Sequence, residues 1–222
     1  MTNTTASTGD SGNVSANAAN GEPSAAQACS APAHRVPLNY DLAAAYMKEH
    51  ADSELTEELL LSVYRVMTDG TQYEGRGFKT TDNIIGAELH ISFVPAAASI
   101  SLQELRKLLA GYRDELRPLH GEEALRPVLR FVLQFVLIHP FADGNGRVAH
   151  CLLMYLLYNA GYKNAFDIPV DRILLENRRQ YFLSILRSTA RVYSIGVRDP
   201  GPYEEFMLGC FGSLLRLEDD DK

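Results

Sequence analysis

The 222-residue chain has no tryptophan and only three cysteines. Cys29, Cys151 and Cys210 are scattered, too far apart for a metal-type pairing and odd in number. That excludes a disulfide framework and a cysteine-based zinc site, and fits a reducing, cytoplasmic setting. Positive charge is also short: 21 Lys and Arg against 28 Asp and Glu, a formal net charge of −7. Nucleic-acid backbones call for clustered cations, so no broad nucleic-acid face is expected. No run approaches the roughly 18 consecutive apolar residues of a membrane span, and no partner membrane is expected. The N-terminus has neither the basic start nor the apolar core of a secretory leader.

What is present is apolar and periodic: 46% of residues are hydrophobic, enough for one domain with a true core. Residues 1–36 contain no Leu, Ile, Phe or Tyr and read as a disordered, low-complexity leader. Residues 37–216 read as one domain, and 217–222 as an acidic tail. The spacing predicts an all-α architecture. A short helix is expected over 40–50, and Thr56 caps the next, with Leu59, Leu60, Val63, Tyr64 and Met67 on one face. Ser101-Leu102-Gln103-Glu104 reads as a capping box opening a third helix. Residues 122–138 are apolar on nearly every side, as a central rod must be. A second rod is expected at about 146–159, a helix capped by Asp171 running to about 190, and a last one over 203–216. Residues 84–95 alternate and are β-rich, so a short hairpin flap closed by Pro95 is expected there. Its edge could accept a partner strand.

Between the two rods stands His139-Pro140-Phe141-Ala142-Asp143-Gly144-Asn145-Gly146-Arg147. A glycine-bearing loop entering a helix is an anion site, because unpaired N–H groups and the positive dipole end face the guest. The residue types point to a phosphate guest, Mg²⁺ on Asp143, and chemistry at His139. Imidazole is mostly neutral at pH 7 and can take a proton. Mg²⁺ prefers carboxylate and phosphate oxygens. Glycine lets backbone amides approach closely, and the guanidinium fork matches phosphate.

The nonapeptide resembles the first nine positions of the HxFx(D/E)GN(G/K)RxxR motif of Fic (Fido) domain proteins. Phe78-Lys79-Thr80-Thr81-Asp82-Asn83-Ile84-Ile85-Gly86 is similar to the family's FRxxxNxIG stretch, with Lys79 in place of Arg. Ile91-Ser92-Phe93-Val94-Pro95 is similar to the segment ending in FVPP, and Asn177-Arg178-Arg179-Gln180-Tyr181 to NRxxYY. The resemblance spans roughly residues 56–190. It implies a Fic-type helical bundle around two central helices with a short β-hairpin flap. It also implies a protein adenylyltransferase that moves AMP from ATP to a protein hydroxyl. His139 is then the general base, and Asp143 holds Mg²⁺. Gly144, Asn145 and Gly146 form the anion hole, and Arg147 grips the distal phosphates. Phe141 anchors the loop and Pro140 shapes its turn. Asn177 and Tyr181 lie near the adenine. The target protein docks along the flap.

The family's second motif arginine is His150 here, on the side of the helix that Arg147 faces. Three readings follow: weaker but ordinary AMP transfer with His150 on the phosphates, a different phosphate-containing donor, or a pseudoenzyme that serves as a binding module. Phosphorylation, as in the Doc branch, goes with Ala-Asn-Lys rather than Gly144-Asn145-Gly146. No [S/T]xxxE[G/N] inhibitory pattern is found, which points to a separate, antitoxin-like inhibitory protein, to no need for one, or to an inhibitory segment of a different pattern. Taken singly, Lys79 reads as a surface residue.

Overall fold

The computed structural model describes residues 37–85, 93–189 and 196–217. The expectations for the leader, for residues 86–92 of the flap and for the tail from 218 onward lie outside these residues. Among the described residues the fold is helical: α1 Tyr40–Glu49, α2 Glu57–Thr68, α3 Ala98–Gly111, α4 Glu122–Ile138, α5 Asn145–Asn159, α6 Val170–Glu176, α7 Arg178–Ser188 and α8 Gly201–Phe211. None of them is long and apolar enough to cross a membrane.

α4 and α5 are the central pair, packed against each other. Every residue of α5 from Val148 to Leu157 is buried. On α4 the buried set runs from Ala124 through Val128, Phe131 and Phe135 to Ile138. At roughly 1.5–3 kcal/mol for each large apolar side chain removed from water, these two rods dominate the core. α1 and α2 lie against α5, α3 against α4, and the α7–α8 pair closes the far side through α8. Pro127 stands in the second turn of α4, which continues through it. The carbonyl it leaves without a donor belongs to Glu123, an exposed residue that water can serve.

Thr56 caps α2, its Oγ1 accepting the N–H of Leu59 at 3.1 Å. Three expectations need correction. Ser101 is not a cap: α3 begins three residues earlier at Ala98, and Ser101 is buried inside it. The Ala97-Ala98 run favours helix, and the N–H of Ala98 is satisfied by Asp82 Oδ1 at 2.7 Å. Asp171 is the second residue of α6, not its cap, and the long helix expected to 190 breaks at Asn177 (φ −105, ψ 23). There the Asn177 side chain donates to Ile173 O at 2.9 Å, closing α6 with a bond that competes with helix continuation. The last helix spans Gly201–Phe211 rather than 203–216, its start favoured by Pro202 at an early helical position. In the flap region, Ile85 and Phe93 form an antiparallel bridge and exchange two backbone hydrogen bonds of 3.1 Å.

Candidate active site

α4 ends by delivering His139, and α5 begins at Asn145, so the motif loop is a six-residue bend, residues 139–144, between the two rods. His139 adopts the left-handed conformation (φ 53, ψ 61). It is the one non-glycine among the described residues with positive φ. The bend is pinned at three levels. Phe141 is fully buried, stacked between Tyr64 (ring centroids 4.3 Å apart) and Phe78 (5.2 Å). Asn145 sends its side chain inward, where Oδ1 accepts the N–H of Phe141 at 2.8 Å and Nδ2 donates to Phe141 O at 2.9 Å. Gly144 has φ +72, and a Cβ there would lie 3.2 Å from Leu38 Cδ1 and 3.4 Å from Met67 Sδ. Gly146 is different: a Cβ there meets nothing within 4 Å. Its side faces a cavity of about 500 Å³.

That cavity brings together His139, Asp143, Gly144, Asn145, Gly146, Arg147, His150 and Tyr181. Pro140 and Phe141 lie beneath it, buried. Asn177 is not on its wall and instead closes α6. The backbone N–H groups of Asn145, Gly146 and Arg147 are in the first turn of α5, where no intrahelical acceptor exists. The side chain of Asn145 is therefore a loop staple, and any contact it makes to an anion is through its backbone.

His139 places Nδ1 3.3 Å from Val136 O. With that nitrogen donating, Nε2 carries the lone pair. Burial, and then the Lys79 ammonium, hold the imidazole well below the usual histidine range, so it is neutral at physiological pH. Asp143 accepts the N–H of Gly144 on Oδ1 at 2.7 Å. Among the described residues no group of three or more His, Cys, Asp or Glu could hold a metal ion by itself. A lone carboxylate fits an ion such as Mg²⁺, which keeps waters and takes its other oxygens from a phosphate substrate.

The wall opposite His139 carries what sequence reasoning missed. Asp171 Oδ1 lies 2.9 Å from His150 Nδ1 and 3.8 Å from Arg147 Nε. Burial raises the Asp171 carboxyl, but the His150 hydrogen bond and the charges of His150 and Arg147 together outweigh it and lower its pKa. Tyr40 and Tyr181 present ring edges to His150 from two sides. Leu174, Leu175, Phe182 and Ile185 line the α6–α7 side of the cavity, with Arg178 beside them. The helical recurrence of 178, 182 and 185 was a readable sign that one face of α7 looks at a common space. Lys79, expected at the surface, is 5% exposed and lies under the loop.

Residues 54–157 match the model of the Fic/DOC family. The chain is 28% identical over 141 residues to protein adenylyltransferase fic-1 of Caenorhabditis briggsae, which covers 62% of this chain and 24% of that protein. It is 29% identical over 190 residues to protein adenylyltransferase Fic of Drosophila grimshawi, 83% of this chain and 35% of that protein. The chain thus spans a quarter to about a third of the length of these relatives. The crystal structure of a Fic family protein from Desulfovibrio desulfuricans G20 superposes with a TM-score of 0.60 at 23% identity, covering 76% of this chain and 49% of that one. The helical bundle has the fold of that Fic family structure, and residues 54–157 are similar to the Fic/DOC family.

Proposed function

We propose that this domain transfers AMP from ATP to a hydroxyl side chain of a target protein. The observation that carries the reading is one cavity with a neutral, oriented imidazole at His139 on one side and the open first turn of α5 on the other. In this reading the hydroxyl oxygen attacks the α-phosphorus, the bond from that phosphorus to the β-bridging oxygen breaks, and pyrophosphate leaves. His139 Nε2 takes the hydroxyl proton, a contribution of typically 10²–10⁴ in rate. The N–H groups at Asn145, Gly146 and Arg147 face the charge that grows on the phosphate. Preorganised donors of this kind are worth about 3–4 kcal/mol each in comparable sites. Arg147 binds the distal phosphates, and Asp143 would hold Mg²⁺, which offsets phosphate charge. Leu174, Phe182 and Tyr181 supply the apolar and aromatic wall that a base requires. The target lies along residues 84–95, and a separate, antitoxin-like protein supplies restraint.

The 2.9 Å contact of His150 Nδ1 with Asp171 favours a second reading. A histidine tied to a carboxylate offers the distal phosphates less positive charge than a free guanidinium, which suits a donor other than ATP.

The test is incubation with lysate, Mg²⁺ and labelled donors: α-labelled ATP, the α-labelled diphosphates ADP, GDP, CDP and UDP, and γ-labelled ATP. Label on protein from α-labelled ATP, lost in His139→Ala while nucleotide binding survives, is the expected result. Label from another α-labelled nucleotide establishes the second reading, and label from γ-ATP alone establishes phosphorylation. If His139→Ala labels as well as the wild type, His139 is not the base.

A further inference from the structure

The left-handed backbone at His139 has to be held, since a non-glycine residue rarely rests there. The carbonyls on either side of it are engaged by one residue. The backbone N–H of Lys79 donates to Pro140 O at 2.8 Å. The Lys79 ammonium donates to Ile138 O at 3.4 Å, to Ala96 O at 2.6 Å and to Asn83 Oδ1 at 3.3 Å. One residue before that, Leu137 O accepts the N–H of Ala96 at 3.0 Å. The last carbonyls of a helix have no intrahelical donor, and the dipole there is negative. A buried cation at the end of α4 meets both conditions.

We propose that Lys79 is a positioning residue for His139, its ammonium and its backbone N–H fixing the Ile138–His139 and Pro140–Phe141 peptide planes on either side of the base and tying them to Ala96 and Asn83. The proposal rests on the reading of His139 as the base. A lysine serving only as packing has no reason to place three donors on backbone carbonyls and an amide around one loop. Its carbon stem alone would fill the space.

Burial draws the Lys79 ammonium down to about 8, with Asp82 opposing. The same charge bears on His139, together with the opposing Asp143. Arg147 and His150 of α5, Asp171 of α6, and Arg178 and Tyr181 of α7 are the other charged or titratable groups around the cavity. Removing the charge from Lys79 therefore moves the His139 titration upward, and restoring a cation returns it.

The experiment compares the wild-type chain with Lys79→Met and Lys79→Arg. It reads the His139 ring titration by nitrogen-15 NMR, nucleotide affinity, and transfer at saturating donor. For Lys79→Met we expect an upward-shifted His139 pKa and a rate lower by about 100-fold, the scale of a misplaced catalytic group. Nucleotide affinity is expected to stay within about threefold, a small change on the scale where tenfold is 1.4 kcal/mol. Lys79→Arg is expected to recover the titration and part of the rate. An unmoved His139 titration in Lys79→Met overturns the proposal. So does a loss of rate matched by an equal loss of nucleotide binding, or one that Lys79→Arg does not relieve. If the wild-type chain labels no protein from any donor, the proposed function fails, while the ring titration still decides whether Lys79 governs His139.

Discussion

At the scale of single residues, the motif loop separates groups that face the cavity from groups that hold the loop in place. Asn145 belongs to the second set. Both of its side-chain polar atoms are spent on the backbone of Phe141, and it is 1% exposed. Truncating it to alanine leaves a buried N–H and a buried carbonyl without partners, at about 1–3 kcal/mol for each. Asn145→Ala is therefore expected to lose roughly 2–6 kcal/mol of stability and most of the transfer rate, because His139 and the first turn of α5 lose their common anchor. Denaturant unfolding and single-turnover labelling measure both. A stable but inactive Asn145→Ala would instead mean that the side chain touches substrate. His139 differs: Nδ1 has one long contact and Nε2 is the basic nitrogen, so His139→Ala removes chemistry and little structure.

At the scale of elements, the two rods were legible because their apolar residues recur at helical spacing over three to four turns, and α2 because Thr56 precedes a first turn with Glu57 and Glu58. What could not be read was any cap supplied from a distance. Asp82 stands sixteen residues before Ala98, and no local pattern announces that its carboxylate starts α3. The burial of Lys79 was hidden for the same reason, since its partners at Ala96 and Ile138 lie on other segments. The pairing of Asp171 with His150 crosses from α6 to α5, so the residue taken for a cap turned out to face the cavity. Cap substitutions discriminate these cases. Thr56→Ala is expected to cost about 1 kcal/mol through the lost bond to the Leu59 N–H. Ser101→Ala, at the position that resembles a cap, is expected to change stability by less than about 0.5 kcal/mol, because alanine suits a helix interior. Equal losses in the two would put the start of α3 back at Ser101. Neither change is expected to alter nucleotide affinity, as neither residue lines the cavity.

At the scale of the whole molecule, the titrating groups of the site make stability depend on pH in a definite sense. His139 is pushed down to about 3, by burial first and then by the Lys79 ammonium, whereas an unfolded histidine titrates near ~6.5. Between those values the unfolded chain binds a proton that the fold refuses, so stability rises with pH across that window and is lost on acidification. Asp171, lowered by His150 and Arg147 against the opposing effect of burial, has the same sign at lower pH. Its contribution is present above the ordinary carboxylate value near ~3.9 and is lost as pH falls through its folded value. Lys79 acts in the alkaline range: it releases its proton near 8 in the fold and near ~10.4 when unfolded, so stability rises again between them. Buried phenols oppose this at still higher pH. Tyr64 is raised to about 12 by burial and by Asp143, so above about 10 the unfolded chain ionises where the fold does not. The thermal midpoint is therefore expected to climb from pH 4 through neutrality and to turn over only near pH 10. His139→Gln should flatten the part between pH 4 and 6.5 and spare the alkaline part, while Lys79→Met should flatten the part between 8 and 10 and, by raising the His139 titration, also narrow the acid part. A His139→Gln variant that keeps the full acid slope would place the responsible group elsewhere. A wild-type midpoint that peaks below pH 7 would mean that the growing negative charge of a chain already at −7 outweighs the buried site.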